Sequence, residues 1–104
     1  KELFYIDKFR NIISPKPHPE VIHHLYSGSG VIYGMGSLWT SIIPSLILGG
    51  IGEAIAALKG PKIALLNCCH DRETDQMSGL DYINSITNSL NRYGALSYSP
   101  QTYI

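Results

Sequence analysis

The chain has 104 residues, 44% of them hydrophobic and 15% charged, a balance that suits one small globular unit and excludes a disordered or fibrous chain. Eight Lys and Arg are matched by eight Asp and Glu, so no overall charge draws it to nucleic acid or to an acidic membrane surface. At this length roughly two-thirds of the unfolded surface can be buried, enough for a modest core.

Leu3-Phe4-Tyr5-Ile6 and Asn11-Ile12-Ile13 are short β-prone runs around Asp7, Lys8 and Arg10, and they predict a small hairpin or a sheet edge. Residues 1–10 mix charges with apolar residues and lack the continuous apolar region of a secretion signal. Pro15, Pro17 and Pro19 alternate and favour extended backbone. Pro19 then suits the first turn of a helix whose apolar stripe is Val21, Ile22 and Leu25, and Ser27-Gly28-Ser29-Gly30 ends it. Gly30 to Tyr33 reads as a central strand, which stops at the turn Gly34-Met35-Gly36-Ser37.

Beyond that turn, Ser41 to Leu48 reads as a short helix, broken at Gly49-Gly50, and Ile51 to Leu58 as another. The apolar stretch Ile42 to Ile51 is about half a membrane span and contains Pro44, Gly49 and Gly50, so a buried helix pair is expected and no membrane contact. Lys59-Gly60-Pro61 precedes a second apolar strand, Lys62 to Asn67. Ser78 to Asn91 is an amphipathic helix with Leu80, Ile83, Ile86, Thr87 and Leu90 on one stripe and Asp81 in its first turn. Residues 94–104 show no helical period and read as a loose tail or the start of another strand.

Two apolar strands joined by a helical crossover predict a right-handed βαβ unit in a parallel sheet buried on both faces. Ligands of such sheets collect at the carboxyl ends of the strands, so a site is expected between the Gly34 to Ser41 turn and the loop Cys68 to Met77. The order strand, glycine turn, hydroxyl, helix leaves amide groups and the positive end of a helix dipole facing an anion. Gly34 and Gly36 would allow positive φ and close backbone approach, while Ser37, Thr40 and Ser41 supply hydroxyl donors. The plainer alternative is that the glycines only turn the chain and a hydroxyl caps the helix. No Lys-Ser/Thr pair follows the glycines and Trp39 stands where a dinucleotide fingerprint has its third glycine, so neither phosphate-loop family is indicated. Trp39 either stacks on a base or packs beneath the turn.

In the second loop, Arg72 can pair with an anion, His70 or Asp75 can move protons, and Asn67 can orient a base or sugar; a solvated surface loop explains the same composition. Adjacent Cys68 and Cys69 point to opposite sides of an extended chain and cannot form an ordinary bridge, which fits a reducing, cytoplasmic setting. Cys68, Cys69 and His70 are consecutive and rarely converge on one tetrahedral ion, so no metal site is expected from them.

The run Gly34-Met35-Gly36-Ser37-Leu38-Trp39-Thr40-Ser41-Ile42-Ile43-Pro44, with Asn67 and Glu73-Thr74-Asp75 after it, resembles the family of the 2-phospho-L-lactate transferase CofD and the gluconeogenesis factor YvcK. Lys16-Pro17-His18-Pro19-Glu20-Val21-Ile22 and Asp71-Arg72-Glu73 resemble uncharacterised eukaryotic, fungal-type members most closely. The resemblance spans residues 3–93. It implies an α/β, Rossmann-like three-layer αβα fold with a mainly parallel sheet. In the transferase branch a phospholactyl group moves from a nucleotide diphosphate to a deazaflavin with Mg2+, whereas the regulator branch resembles a nucleotide-sugar binder.

Carried over by position, Gly34, Gly36, Ser37, Thr40, Ser41 and Asn67 would bind phosphate or nucleotide, beside a loop of Arg72, Glu73, Thr74 and Asp75. Asp71, Glu73 and Asp75 are the clustered carboxylates that Mg2+ would need in a full-length parent. Arg72 stands where the family has glycine, and the family's Gly-Gly-Gly-Thr-Gly loop is absent. The chain therefore reads as one partial domain over residues 1–104, a fragment of a larger one, not expected to complete a reaction alone. The expected function is binding the phosphate groups of a nucleotide or nucleotide sugar in a regulatory or transferase-related role. The alternatives are a phospholactyl-type transferase, or a ligand-free assembly piece whose segment Ile42 to Leu58 packs on the missing part of the domain or a second copy.

Overall fold

A computed structural model describes residues 1–67, 72 and 74–104. The Cys68, Cys69, His70, Asp71 and Glu73 expectations lie outside the described residues. The amino-terminal hairpin forms as expected: β1 (Tyr5–Ile6) pairs antiparallel with β2 (Ile12–Ile13). Its turn is organised by Asp7, whose carboxylate accepts from the amides of Phe9 (2.8 Å) and Asn11 (2.9 Å) while Arg10 takes the left-handed conformation. Such local carboxylate-to-amide bonds are what make Asp a turn former.

Helix α1 (Pro19–Ser27) starts where the alternating prolines stop, with His18 Nδ1 accepting from the Glu20 amide, and ends at an extended Gly28. Its apolar stripe is only partly covered, because Ile22 and Leu25 pack against the core while Val21 stays 45% exposed. Strand β3 (Val31–Tyr33) pairs parallel with β4 (Lys62–Ala64) in the register Val31↔Lys62, Ile32↔Ile63 and Tyr33↔Ala64. The second strand is shorter than the apolar run from 62 to 67. Leu65 still donates to the Tyr33 carbonyl (3.0 Å), but β3 ends at Tyr33 and strand pairing stops with it.

Between these strands lie a π-helical turn (Leu38–Ile42), α2 (Ile43–Leu46) and α3 (Ile51–Ala57). The helical segment begins at Leu38, earlier than the expected Ser41. Gly49-Gly50 separates α2 from α3 as anticipated, with Gly50 at φ 94°. No single helix among the described residues is long and apolar enough to cross a membrane; Leu38–Leu46 and Ile51–Ala57 bend by 78°. Their apolar faces are buried instead, with Leu38, Ile43, Ile47, Ile51 and Ile55 all in the core.

Helix α4 (Gly79–Asn91) opens with a reciprocal cap: Ser78 Oγ accepts from the Asp81 amide (3.1 Å) and Asp81 Oδ2 accepts from the Ser78 amide (2.9 Å). Ile86, Thr87 and Leu90 of the expected stripe are buried, whereas Leu80 is 66% exposed on the first turn, ahead of the packed half of the helix. Ser78→Ala should cost about 1 kcal/mol of stability, checked by urea unfolding. The Ser78 amide and hydroxyl hold the Asp81 carboxyl below the ordinary carboxylate range. A depressed carboxyl pKa stabilises above the unfolded-state value, so this contribution is lost as the pH falls through the folded-state value, and Asp81→Asn should flatten that acid limb.

The tail differs most from expectation. Residues 100–103 form α5 (Pro100–Tyr103), and Tyr103 is only 1% exposed. Its carbonyl accepts from Tyr33 Oη (2.8 Å) and its own hydroxyl donates to Asn91 Oδ1 (2.5 Å). Asn91 also bonds both backbone groups of Tyr98, so strand, helix and tail meet in one polar cluster inside the core.

The β3–β4 sheet is covered on one face only. Tyr33 is buried and Val31 and Ala64 pack on the core, but Ile32 on the other face is 66% exposed and its partner Ile63 47%. The expectation of burial on both faces fails because the sheet residues that join the described core, Val31, Tyr33 and Ala64, share one face. The described residues form an α/β arrangement of two short sheets, one parallel and one antiparallel, with helices.

Candidate functional site

Parallel pairing brings the carboxyl ends of β3 and β4 to the same edge, where Gly34 and Leu65 leave the sheet and Asn67 follows two residues beyond Leu65. Tyr33 anchors this edge from below. Burial, reinforced by the neighbouring Tyr103, raises its phenol well above the ordinary range, so it stays a neutral donor to the Tyr103 carbonyl. Gly34, Met35 and Gly36 then cross exposed, and the chain enters a helix at Leu38.

The two glycines serve different purposes, and neither has the positive φ expected of it: among described glycines that conformation belongs to Gly50. A Cβ on Gly36 would lie 2.7 Å from Ser41 Cβ, so glycine is required there by the helix folding back against the turn. A Cβ on Gly34 would meet nothing within 4 Å, which leaves that peptide open to approach.

The Ser37 carbonyl accepts from both Ser41 N (2.8 Å) and Ile42 N (3.2 Å), which accounts for the π-helical start. Amides of Leu38, Trp39 and Thr40 precede Ser41, whose amide is the first to donate to the Ser37 carbonyl, so helix geometry itself supplies them no carbonyl. Thr40 and Ser41 therefore ride exposed on the first helical turn rather than in the loop. Leu38 and Trp39 point inward and are buried, and the Lys1 ammonium lies 5.3 Å from the Trp39 ring centre. Trp39 packs beneath the turn and is not a stacking platform.

A cavity of about 390 Å³ opens beside this turn, with Gly34 and Ser41 in its wall. Ser45, one helical turn beyond Ser41, lines it too, as do His18 and Val21 near the start of α1. Sequence reading missed these contributors, although the one-turn spacing of Ser41 and Ser45 was an available signal.

The second loop is only partly described. Asn67 and Arg72 are exposed, and Asp75 is exposed with Oδ2 accepting from Gln76 Nε2 (3.4 Å). Thr74 departs from its expected place on the open edge: it is 7% exposed, and its carbonyl accepts from the Met77 amide (3.0 Å), so it anchors the loop ahead of α4. Of the carboxylates considered for Mg2+, Asp71 and Glu73 lie outside the described residues, and among those described no three His, Cys, Asp or Glu converge to hold a metal. The described residues thus do not supply a Mg2+ site.

The family described as 2-phospho-L-lactate transferase CofD matches residues 6–103. An uncharacterised protein of Saccharomyces cerevisiae is 35% identical over 91 residues, covering 86% of this chain and 20% of that protein. The gluconeogenesis factor of Listeria monocytogenes is 36% identical over 72 residues, covering 68% and 22% respectively. A putative gluconeogenesis factor of Clostridium acetobutylicum is 38% identical over 69 residues, covering 65% and 15%. The chain thus spans about a fifth of the length of these relatives. No solved structure matches it significantly.

Proposed function

Because this chain belongs to the CofD family, which includes gluconeogenesis-factor relatives, we propose that it binds the phosphate groups of a nucleotide or nucleotide sugar in a regulatory or transferase-related protein. One observation carries this reading: the Gly34 to Ser41 segment runs from a parallel strand end directly into a helix amino terminus, with its open peptide at Gly34 and exposed hydroxyls at Thr40 and Ser41. Amides and hydroxyls so placed suit a phosphate, at about 1.5–3 kcal/mol per hydrogen bond to the charged acceptor.

Calorimetric titration of the full-length protein with UDP-sugars, GDP and GTP tests it. Saturable binding of at least one is expected, with Thr40→Val weakening it by about 1.5–3 kcal/mol. Gly36→Val should abolish it, because the new side chain displaces Ser41. Binding to none of them, or binding indifferent to Gly36→Val, overturns the proposal. Phospholactyl-type transfer is the alternative for the same site, and product formation from labelled nucleotide, acceptor and Mg2+ by the full-length protein would distinguish it.

A second reading concerns architecture. Ile32 and Ile63 form a bare apolar face, and the hydrogen bonding of Val31 and Tyr33 toward β4 turns the Ile32 peptide groups to the opposite edge. Both features suit a sheet that continues into a Rossmann-like three-layer domain in the longer family proteins, since uncovered parallel sheets and free edges are unfavourable. Residues 1–104 alone should then self-associate in sedimentation; a discrete, stable monomer argues against it.

A further inference from the structure

We propose that the start of α1 is a pH-sensitive switch: neutral His18 holds the first helical turn closed, and protonation of its ring releases it. The inference is independent of any ligand at the glycine turn. Pro19 is the first residue of α1 and brings no N–H, so the opening amides of the helix are those of Glu20 and Val21. Both end on His18. Its Nδ1 accepts from the Glu20 amide (3.1 Å) and its carbonyl accepts from the Val21 amide (2.9 Å).

Ser, Thr, Asn and Asp, the usual residues at this position, keep an oxygen acceptor throughout the neutral range. An imidazole does not, because an Nδ1 that accepts a hydrogen bond must be unprotonated, and the imidazolium is a donor at both nitrogens. Protonation therefore removes the acceptor and sets a positive charge at the positive end of the helix dipole, two effects of the same sign. His18 is exposed, so its ring exchanges protons with solvent directly. The charged groups nearest along the chain are Lys16, which disfavours the imidazolium, and Glu20 in the first turn, which favours it. The cavity that His18 shares with Ser41 and Ser45 has no Asp, Glu, Lys or Arg in its lining among the described residues, and its other titratable group, Tyr33, is kept neutral by burial. Helix α3, packed on α1, carries one charged residue, Glu53, which accepts from the Ala95 amide (3.3 Å). In the last turn of α1 a protonated His24 suits the dipole, so acid loosens only the start of the helix. The release is bounded by the Gly49 amide, which holds the Pro15 carbonyl (3.1 Å), and by Ile22 and Leu25, packed on the core. Between these anchors lie Pro17, His18 and Val21, one wall of the cavity beside the glycine turn, and this wall loosens when the ring gains its proton.

Hydrogen exchange of the full-length protein, read by mass spectrometry on the peptide containing α1, tests the switch at about pH 8 and about pH 5, either side of the ordinary histidine range. With labelling times scaled to the intrinsic exchange rate, the first-turn amides should exchange about fivefold faster at the lower pH, the factor a typical helix cap supplies. The buried stretch from Ile86 to Leu90 in α4 should keep its protection. His18→Asn, which caps without titrating, should protect the turn at both pH values, and His18→Phe should leave it open at both. His23→Gln and His24→Gln should retain the parent's response. The same scaled rate at both pH values in the parent overturns the proposal, as does a difference that survives His18→Asn or one that α4 shares. Protection of His18→Phe equal to the parent's at the higher pH would mean that Nδ1 carries no capping bond, and overturns it too.

Discussion

Gly52→Ala is expected to destabilise the chain by about 3 kcal/mol, at the upper end of the cost of overpacking a well-packed core. Helix propensity alone predicts the opposite sign, since alanine is favoured over glycine inside a helix by about 1 kcal/mol. The conflict is decided by α4. A Cβ on Gly52 would lie 1.9 Å from the Leu90 carbonyl oxygen and 2.8 Å from its carbon, and backbone cannot rotate away as a side-chain end can. Accommodating the methyl requires α3 to move off α4, opening the contact among Ile51, Ile55, Ile86 and Leu90. Urea unfolding checks the sign, with Gly34→Ala as the control because its added methyl meets open space. A Gly52→Ala variant as stable as the parent would show that the helices are not in backbone contact.

Tyr103→Ala should cost about 3–5 kcal/mol, the range for truncating a large buried aromatic. The ring is almost fully buried, packs edge-on against Tyr98 with ring centres 5.9 Å apart, and closes the core opposite Tyr33. Tyr103→Phe separates packing from hydrogen bonding. It removes only the bond to Asn91 Oδ1, which still accepts from the Tyr98 amide (2.9 Å), so about 1 kcal/mol is expected. Equal losses for the two variants would mean that the hydroxyl, not the ring, secures the tail. Against a typical total stability of about 5–15 kcal/mol, the alanine change should shift the urea midpoint plainly.

Local chemistry made much of the fold legible. Asp7 between two β-prone runs, Pro19 after alternating prolines, Gly49-Gly50 and the Ser78/Asp81 pair each act on backbone within a few residues, so the hairpin and the limits of three helices follow from near neighbours. Parallel pairing of β3 with β4 was legible for a related reason, because a crossover of helices between two apolar runs leaves few other connections. The glycine turn belongs to the same class: strand, glycines, hydroxyls and helix are consecutive, and their order alone carries Gly34 through Ser41 from the strand end into the helix.

Other features were hidden because their causes lie far along the chain. Nothing in the tail identifies Tyr103 as the acceptor for a phenol seventy positions earlier. Trp39 and Thr40 are adjacent, yet one is buried and the other exposed, because the helix starts at Leu38 and the core determines which side faces in. Glycines 34, 36 and 52 look alike as letters and are separated only by whether open space, Ser41 or the Leu90 backbone lies beside them. By itself the sequence determined the hairpin, the parallel strand pair, the starts of α1, α3 and α4 and the polar turn, since these depend on short-range backbone preferences and periodicity. Tertiary structure alone decided which face of the sheet is covered, where the tail docks and that an apolar cavity adjoins the turn, since each needs side chains from several elements to converge in space.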